Sequence, residues 1–224
     1  MLKEINKDAL QSKSMYISNL ILLISTLLLL AMQPYILSIG NSFWVLGILT
    51  ILLLAGVWIN KWSKKKVVLK LLLVLLNAVC ACLYFYFETT DLKVIYILSI
   101  LFLMISTLLV QFLTVLKTKR ADSSIIFSSI NFYLIAGYTG ACFAWLLETL
   151  SPGSFVINHP VHSHLLFDFV NFSFVTMATL GYGDIIPSNE FGKTLAVFIS
   201  LFGQLYITIF LSIIISKFIK QQED

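Results

Sequence analysis

The chain has 224 residues, 59% of them hydrophobic and 12% charged, and its mean hydropathy is +0.95. A water-soluble domain of this size is excluded, because too little polar surface would remain to cover it. The formal net charge is +4, and the 15 basic and 11 acidic residues sit in short stretches between long apolar runs, the pattern of a chain that crosses a membrane several times.

Met1–Ser14 carries charges of both signs and reads as a cytoplasmic segment, either an interfacial helix or a disordered tail. The apolar run after it lacks a convincing small-residue cleavage site, so it is expected to be a retained helix and not a signal peptide. About 20 apolar residues are needed to cross the hydrocarbon, and six segments qualify. The first is Met15–Met32, closed by Gln33-Pro34. The second is Phe43–Ile59, with Trp44, Trp58 and Trp62 as interface anchors. The third is Val67–Phe87, ending in Tyr84-Phe85-Tyr86-Phe87, and the fourth is Leu92–Leu116. The fifth is Ile125–Leu147 and the sixth Phe191–Phe218. Between the last two, Ser151-Pro152-Gly153 and Asn158-His159-Pro160 mark a loop. The apolar stretch Leu165–Met177 follows; it is too short to span, and in this setting it predicts a re-entrant segment. The predicted fold class is all-α and integral to the membrane, with six transmembrane helices and a re-entrant pore helix and filter between the fifth and sixth.

If the N-terminus is cytoplasmic, every one of the 15 basic residues except Lys93 and Lys193 lies on the cytoplasmic side. Both termini are then cytoplasmic, and the re-entrant segment enters from outside. The basic run Lys61–Lys66 is mainly a signal of this topology, with contact to lipid head groups as a second role.

Directly after the short apolar stretch comes Thr179-Leu180-Gly181-Tyr182-Gly183-Asp184. A ring of backbone carbonyls can replace the hydration shell of K⁺. Pointing successive carbonyls the same way requires positive φ at alternate residues, and Gly181 and Gly183 supply it at little cost. Thr179 adds a hydroxyl at the cavity end, Tyr182 is expected to brace the strand from behind, and Asp184 places a carboxylate at the outer mouth to draw cations in.

Residues 168–193 resemble the pore of tetrameric potassium channels of the bacterial and voltage-gated-like kind. The resemblance rests on Asp168, Val175-Thr176-Met177, Thr179–Asp184, Pro187 and Gly192-Lys193, with Gly203 about twenty residues beyond the filter. Phe143-Ala144-Trp145-Leu146-Leu147-Glu148 is similar to the end of the outer helix in six-span relatives. The resemblance covers roughly Ile125–Lys220; the first four spans match only in number and layout. It implies a homotetramer that passes K⁺ passively, with identical subunits and membrane lipids as partners, no nucleic acid, and no cofactor apart from the permeating K⁺. The implied organisation is a cytoplasmic segment at 1–14, a four-helix voltage-sensor-like domain at 15–120, a pore domain at 121–220 and a tail at 221–224. Asp168 is implied as the cap of the pore helix, and Val175 and Glu148 as supports of the filter.

This chain departs from the family pattern in places. Ala178 stands for the usual second threonine, and Leu180 for Val or Ile. Asn171-Phe172 stands where many relatives have two tryptophans, and Val175 where some have Glu, so the filter is expected to be braced differently. The fourth span has Lys93 at its outer end and no further charge until Lys117, which predicts weak or absent voltage dependence.

Gly203 reads as a hinge or a close-packing position, and Gln204 beside it faces the cavity or hydrogen-bonds another helix. His159, His162 and His164 are loop histidines, solvated or able to sense Zn²⁺ or pH. Cys80, Cys82 and Cys142 read as packed free thiols. Only Gln221-Gln222-Glu223-Asp224 follows Lys220, so no cytoplasmic ligand-binding domain is expected and gating would fall to the filter, lipids or a regulatory partner. A non-selective cation channel and a non-conducting modulatory subunit are the alternatives. An enzyme is not expected, because no acid, base and nucleophile are placed together. A secondary transporter would show inverted repeats, and none is found.

Overall fold

A computed structural model describes residues 2–39, 64–117, 123–158 and 165–223. The described chain forms six helices and two short strands: α1 (Leu2–Ile39), α2 (Lys64–Phe87), α3 (Thr90–Lys117), α4 (Ser123–Leu150), β1 (Phe155–Ile157), α5 (Leu165–Met177), β2 (Ile185–Pro187) and α6 (Glu190–Glu223). Five of the helices, α1, α2, α3, α4 and α6, are long and apolar enough to cross a membrane. The predicted second span, Phe43–Ile59 with Trp44, Trp58 and Trp62, lies outside the described residues, as do His159, His162 and His164.

The first helix differs from its prediction at both ends. Leu2–Ser14 is part of α1 and not a disordered tail, and Gln33-Pro34 does not close the helix, which continues to Ile39. A proline inside a helix withholds its N–H and crowds the carbonyl four residues earlier, yet spanning helices tolerate it where neighbouring elements take up the freed backbone groups. Here the pair lies at a helix contact: Gln33, 4% exposed, donates its Nε2 to the Phe167 carbonyl of α5 at 2.7 Å.

A tight turn joins α2 to α3. Glu88 closes α2 in the left-handed region (φ 49) and donates its N–H to the Tyr84 carbonyl at 2.8 Å. Thr89 then caps α3, its Oγ1 accepting from Leu92 N–H at 3.4 Å. The two helices are tied further along by Asn77 Nδ2, which donates to Ser99 Oγ at 2.6 Å. Cys82 lies on the outer face of α2, whereas Cys142 is packed inside as expected.

Helix α4 is the hub. Of its span, Ile125–Leu150, 67% is buried, against 22% for α2 and 19% for α6, because α1, α3, α5 and α6 all pack on it. A chain of buried amides and hydroxyls ties it to α1 and α3. Ser128 Oγ donates to Gln111 Oε1, Gln111 Nε2 to Asn19 Oδ1 at 3.5 Å, and Asn131 Nδ2 to the Asn19 carbonyl at 2.8 Å. All four side chains are fully buried, and although Asn131 Oδ1 is left without a partner, the bonds between them fix the register of three apolar helices that dispersion alone would let slide.

The fold is not purely helical. β1 and β2 form an antiparallel pair with Phe155 opposite Pro187, Val156 opposite Ile186 and Ile157 opposite Ile185. The chain leaving α4 and the chain entering α6 therefore lie side by side, with α5 and the segment after it inserted between the two strands in sequence.

Candidate functional site

At 13 residues, α5 is about 20 Å long, short of the hydrocarbon thickness. It is seated deep in the molecule through small residues on its neighbours. A methyl group on Gly137 would come within 2.5 Å of the Phe174 ring, and one on Gly140 within 2.5 Å of Ser173 Oγ; Ser173 Oγ donates to the Gly137 carbonyl at 2.7 Å. On the other side, a methyl on Gly203 of α6 would overlap the Met177 carbonyl, the last of α5. Gly203 is thus a close-packing position, and α6 runs through it as unbroken helix.

The chain leaves α5 through a Schellman-type cap. Leu180 N–H donates to the Val175 carbonyl at 2.9 Å and Thr179 N–H to the Thr176 carbonyl at 3.0 Å, closing the orphan carbonyls of the last turn. The residue that must be left-handed in such a cap is normally glycine; here it is Thr179, with φ 58. A β-branched residue there stores strain. Thr179→Gly is expected to raise folding stability by about 0.5–1 kcal/mol, the relief of that conformation less the added freedom of glycine in the unfolded chain. Thermal unfolding in detergent measures it; a lower midpoint would mean that the threonine side chain stabilises the fold by more than its backbone costs.

Beyond the cap the backbone alternates. Thr179, Gly181 and Gly183 have φ of 58, 60 and 77, while Leu180 and Tyr182 between them are on the negative side. Only Gly181 and Gly183 were expected to be left-handed; Thr179 extends the alternation by one residue. A methyl on Gly181 or Gly183 would meet nothing within 4 Å, so both glycines are required by conformation and not by space. Among the described residues, the carbonyls of Thr179, Leu180, Gly181 and Tyr182 accept no hydrogen bond, whereas that of Gly183 beyond them accepts from Asn158 Nδ2. Four consecutive open carbonyls on an alternating backbone are acceptors arranged for something outside the chain.

The far end of this segment is held by the loop before α5. Asn158 N–H donates to the Asp184 carbonyl at 2.8 Å, and Asn158 Nδ2 to the Gly183 carbonyl at 3.2 Å. β1 is anchored in turn. Glu148 at the end of α4 accepts from Gly153 N–H (2.8 Å, Oε1) and Phe155 N–H (3.1 Å, Oε2), so its carboxylate ties down the turn that follows α4. Phe155 packs edge-on against Phe169 and Phe172 of α5, with ring centroids 5.1 and 5.2 Å away. Asn189 caps α6, accepting from Gly192 N–H at 2.8 Å while its Nδ2 donates to Ser154 Oγ at 2.8 Å.

The other predicted site residues are placed as follows. Asp168 lies within the first turn of α5 and is 3% exposed. Val175 meets the segment through its carbonyl. Gln204 is exposed beside Gly203, its carbonyl accepting from Thr208 Oγ1. Leu180 and Tyr182 are 59% and 71% exposed in the single chain. Lys93 lies over the Trp145 ring, 5.7 Å from its centroid. Asn158, Ser154 and Asn189 were not foreseen as parts of the site. Their only sequence signal is the turn-forming character of their surroundings, which does not say which strand they meet.

Residues 125–220, from α4 through most of α6, match the family model described as ion channel. No curated protein and no solved structure matches the chain.

Proposed function

Starting from an ion channel domain at residues 125–220 of a multi-pass membrane protein, we propose that the chain is one subunit of a homotetrameric potassium channel. In this reading α4 is the outer helix, α5 the re-entrant pore helix, Thr179–Gly183 the filter and α6 the inner helix. The observation that carries it is the run of four open carbonyls, Thr179 to Tyr182, on a backbone that alternates in φ. A single strand offers one side of a cage; several copies about an axis complete it, and a dehydrated K⁺ passes in file from ring to ring. Tetramer formation is supported by what one chain leaves open: the filter residues are exposed, and the span of α6 is only 19% buried. Tyr182, 71% exposed, then braces the filter against the neighbouring subunit. Asp184 lies at the outer mouth, both termini are cytoplasmic, and the host membrane is the plasma membrane. The division into a helical domain at 15–120 and a pore domain at 121–220 belongs to the same proposal.

Reconstitution of the purified chain alone into liposomes tests this. K⁺ efflux with a reversal potential that follows the K⁺ gradient and ignores Na⁺ is the expected result. A reversal potential equally sensitive to Na⁺ would make it a non-selective cation channel, and absence of flux would make it a modulatory subunit.

Voltage dependence is expected to be weak. One charge crossing the field yields about 2.3 kcal/mol per 100 mV, and α3 carries no charge between Lys93 and Lys117. Lys93 is moreover held over Trp145 at the end of α4. A shallow conductance–voltage relation, unchanged in Lys93→Gln, is expected in planar bilayers; a steep one lost in that variant would contradict the reading.

A further inference from the structure

The two tryptophans and the glutamate found in relatives along the pore helix are replaced here: positions 171, 172 and 175 are Asn, Phe and Val. Phe172 is buried, and its ring packs against Phe155. The polar contacts to the outer end of the segment come instead from the loop in front of α5. Asn158 is the first residue after β1, and it engages two successive carbonyls, Asp184 through its main chain and Gly183 through its side chain.

We propose that Asn158 is a positioning residue that sets where the ion-facing stack ends. The inference rests on the potassium-channel reading above. Its amide takes the Gly183 carbonyl for the protein, so the open stack stops at Tyr182. The scaffold behind Asn158 is stiff: β1 pairs with β2, Glu148 holds Gly153 and Phe155 from α4, and Ser188 closes the pair by donating its N–H to the Ser154 carbonyl at 2.9 Å and its Oγ to the Gly153 carbonyl. Phe155 links the same strand to α5. The filter exit is therefore tied to α4 and α5 through one strand, and Asn158 is the last link. Without its amide, Gly183 is free to turn, and the outermost ion position gains a mobile carbonyl.

Two variants isolate the amide. Asn158→Ala removes the side chain, and Asn158→Asp keeps its shape but lacks the donor. Both keep the main-chain bond to Asp184 and the β1–β2 pair, so both retain the fold. Current decay during sustained conduction at low external K⁺ is expected to be about threefold faster in each, the scale of one partly exposed hydrogen bond, and to slow again as external K⁺ is raised. Asn171→Ala, an exposed position on α5, is expected to decay as wild type. A second readout needs no current. K⁺ bound in the filter stabilises the assembly by mass action, and the gap in unfolding temperature between K⁺ and Na⁺ buffers is expected to narrow in both variants. A role in folding alone would lower both temperatures together and leave the gap intact, which would overturn the proposal, as would decay unchanged in Asn158→Asp. A wild type that shows neither K⁺ selectivity nor any such gap would instead remove the channel reading on which the proposal stands.

Discussion

Gly181→Ala is expected to abolish potassium flux while leaving the chain folded. Gly181 has φ 60, and a methyl group there would meet nothing within 4 Å. The substitution is therefore resisted only by conformation, at about 1–2 kcal/mol for an L residue held left-handed. One chain can bear that, because nothing in the helical core is touched. The proposed ring of four would bear it less easily: the cost of keeping all four strands in the alternating state would reach about 4–8 kcal/mol, which lowers the population of the open stack by a factor on the order of 10³ or more. The four peptides relax by turning their carbonyls out of line. Flux from K⁺-loaded liposomes measures the loss, and circular dichroism with size-exclusion chromatography checks the fold. Wild-type flux in Gly181→Ala would mean that the alternation of φ is not what conduction needs.

Gly203→Ala is expected to damage both stability and conduction. Its new methyl would overlap the Met177 carbonyl and lie 2.6 Å from Met177 Cγ. The nearer obstacle is backbone and cannot rotate away, so α6 must move off the end of α5. Overpacking of this kind costs about 1–3 kcal/mol. Because Met177 leads directly into Ala178 and Thr179, the displacement also reaches the base of the filter. A lowered midpoint of thermal unfolding together with reduced K⁺ flux is the expected pair of results. Gln204→Ala, one residue on and exposed, is expected to leave the midpoint in place. Unchanged stability in Gly203→Ala would mean that the two helices separate at little cost and that the position serves as a hinge.

What could be read from the letters alone follows from how local each feature is. Leu165–Met177 was found to the residue, because an apolar stretch bounded by loop residues on one side and a glycine-rich turn on the other has little freedom. The spans at α2, α3 and α4 were found within three residues at each end, since hydropathy fixes them. Pro34 misled, because a rule about isolated helices was applied to a packed one, where Gln33 is fixed to α5 and the helix runs on to Ile39. The strands were invisible: three residues are too few for an alternating pattern, and their pairing joins positions 155 and 187 across the whole pore segment. The left-handed Thr179 was hidden for another reason, since threonine carries no signal for positive φ and the helix cap imposes it. Nothing in the apolar runs around Asn19, Gln111, Ser128 and Asn131 marks them as partners, and only the packing of three helices brings them together.

The C-terminal part of α6 does not stand alone. Phe132 of α4 lies between Phe202, Tyr206 and Phe210 at centroid distances of 5.9, 5.3 and 5.4 Å, Tyr206 hydroxyl reaches the Ser129 carbonyl, and Lys217 Nζ donates to the Val115 carbonyl of α3 at 2.5 Å. Splaying the inner helix outward would have to peel apart this aromatic ladder and drag two other helices of the same subunit with it. If α6 lines a passage as proposed, its C-terminal end is a welded frame, and a change of state in such a subunit is cheapest at the opposite end, where single peptide planes can turn without moving any helix.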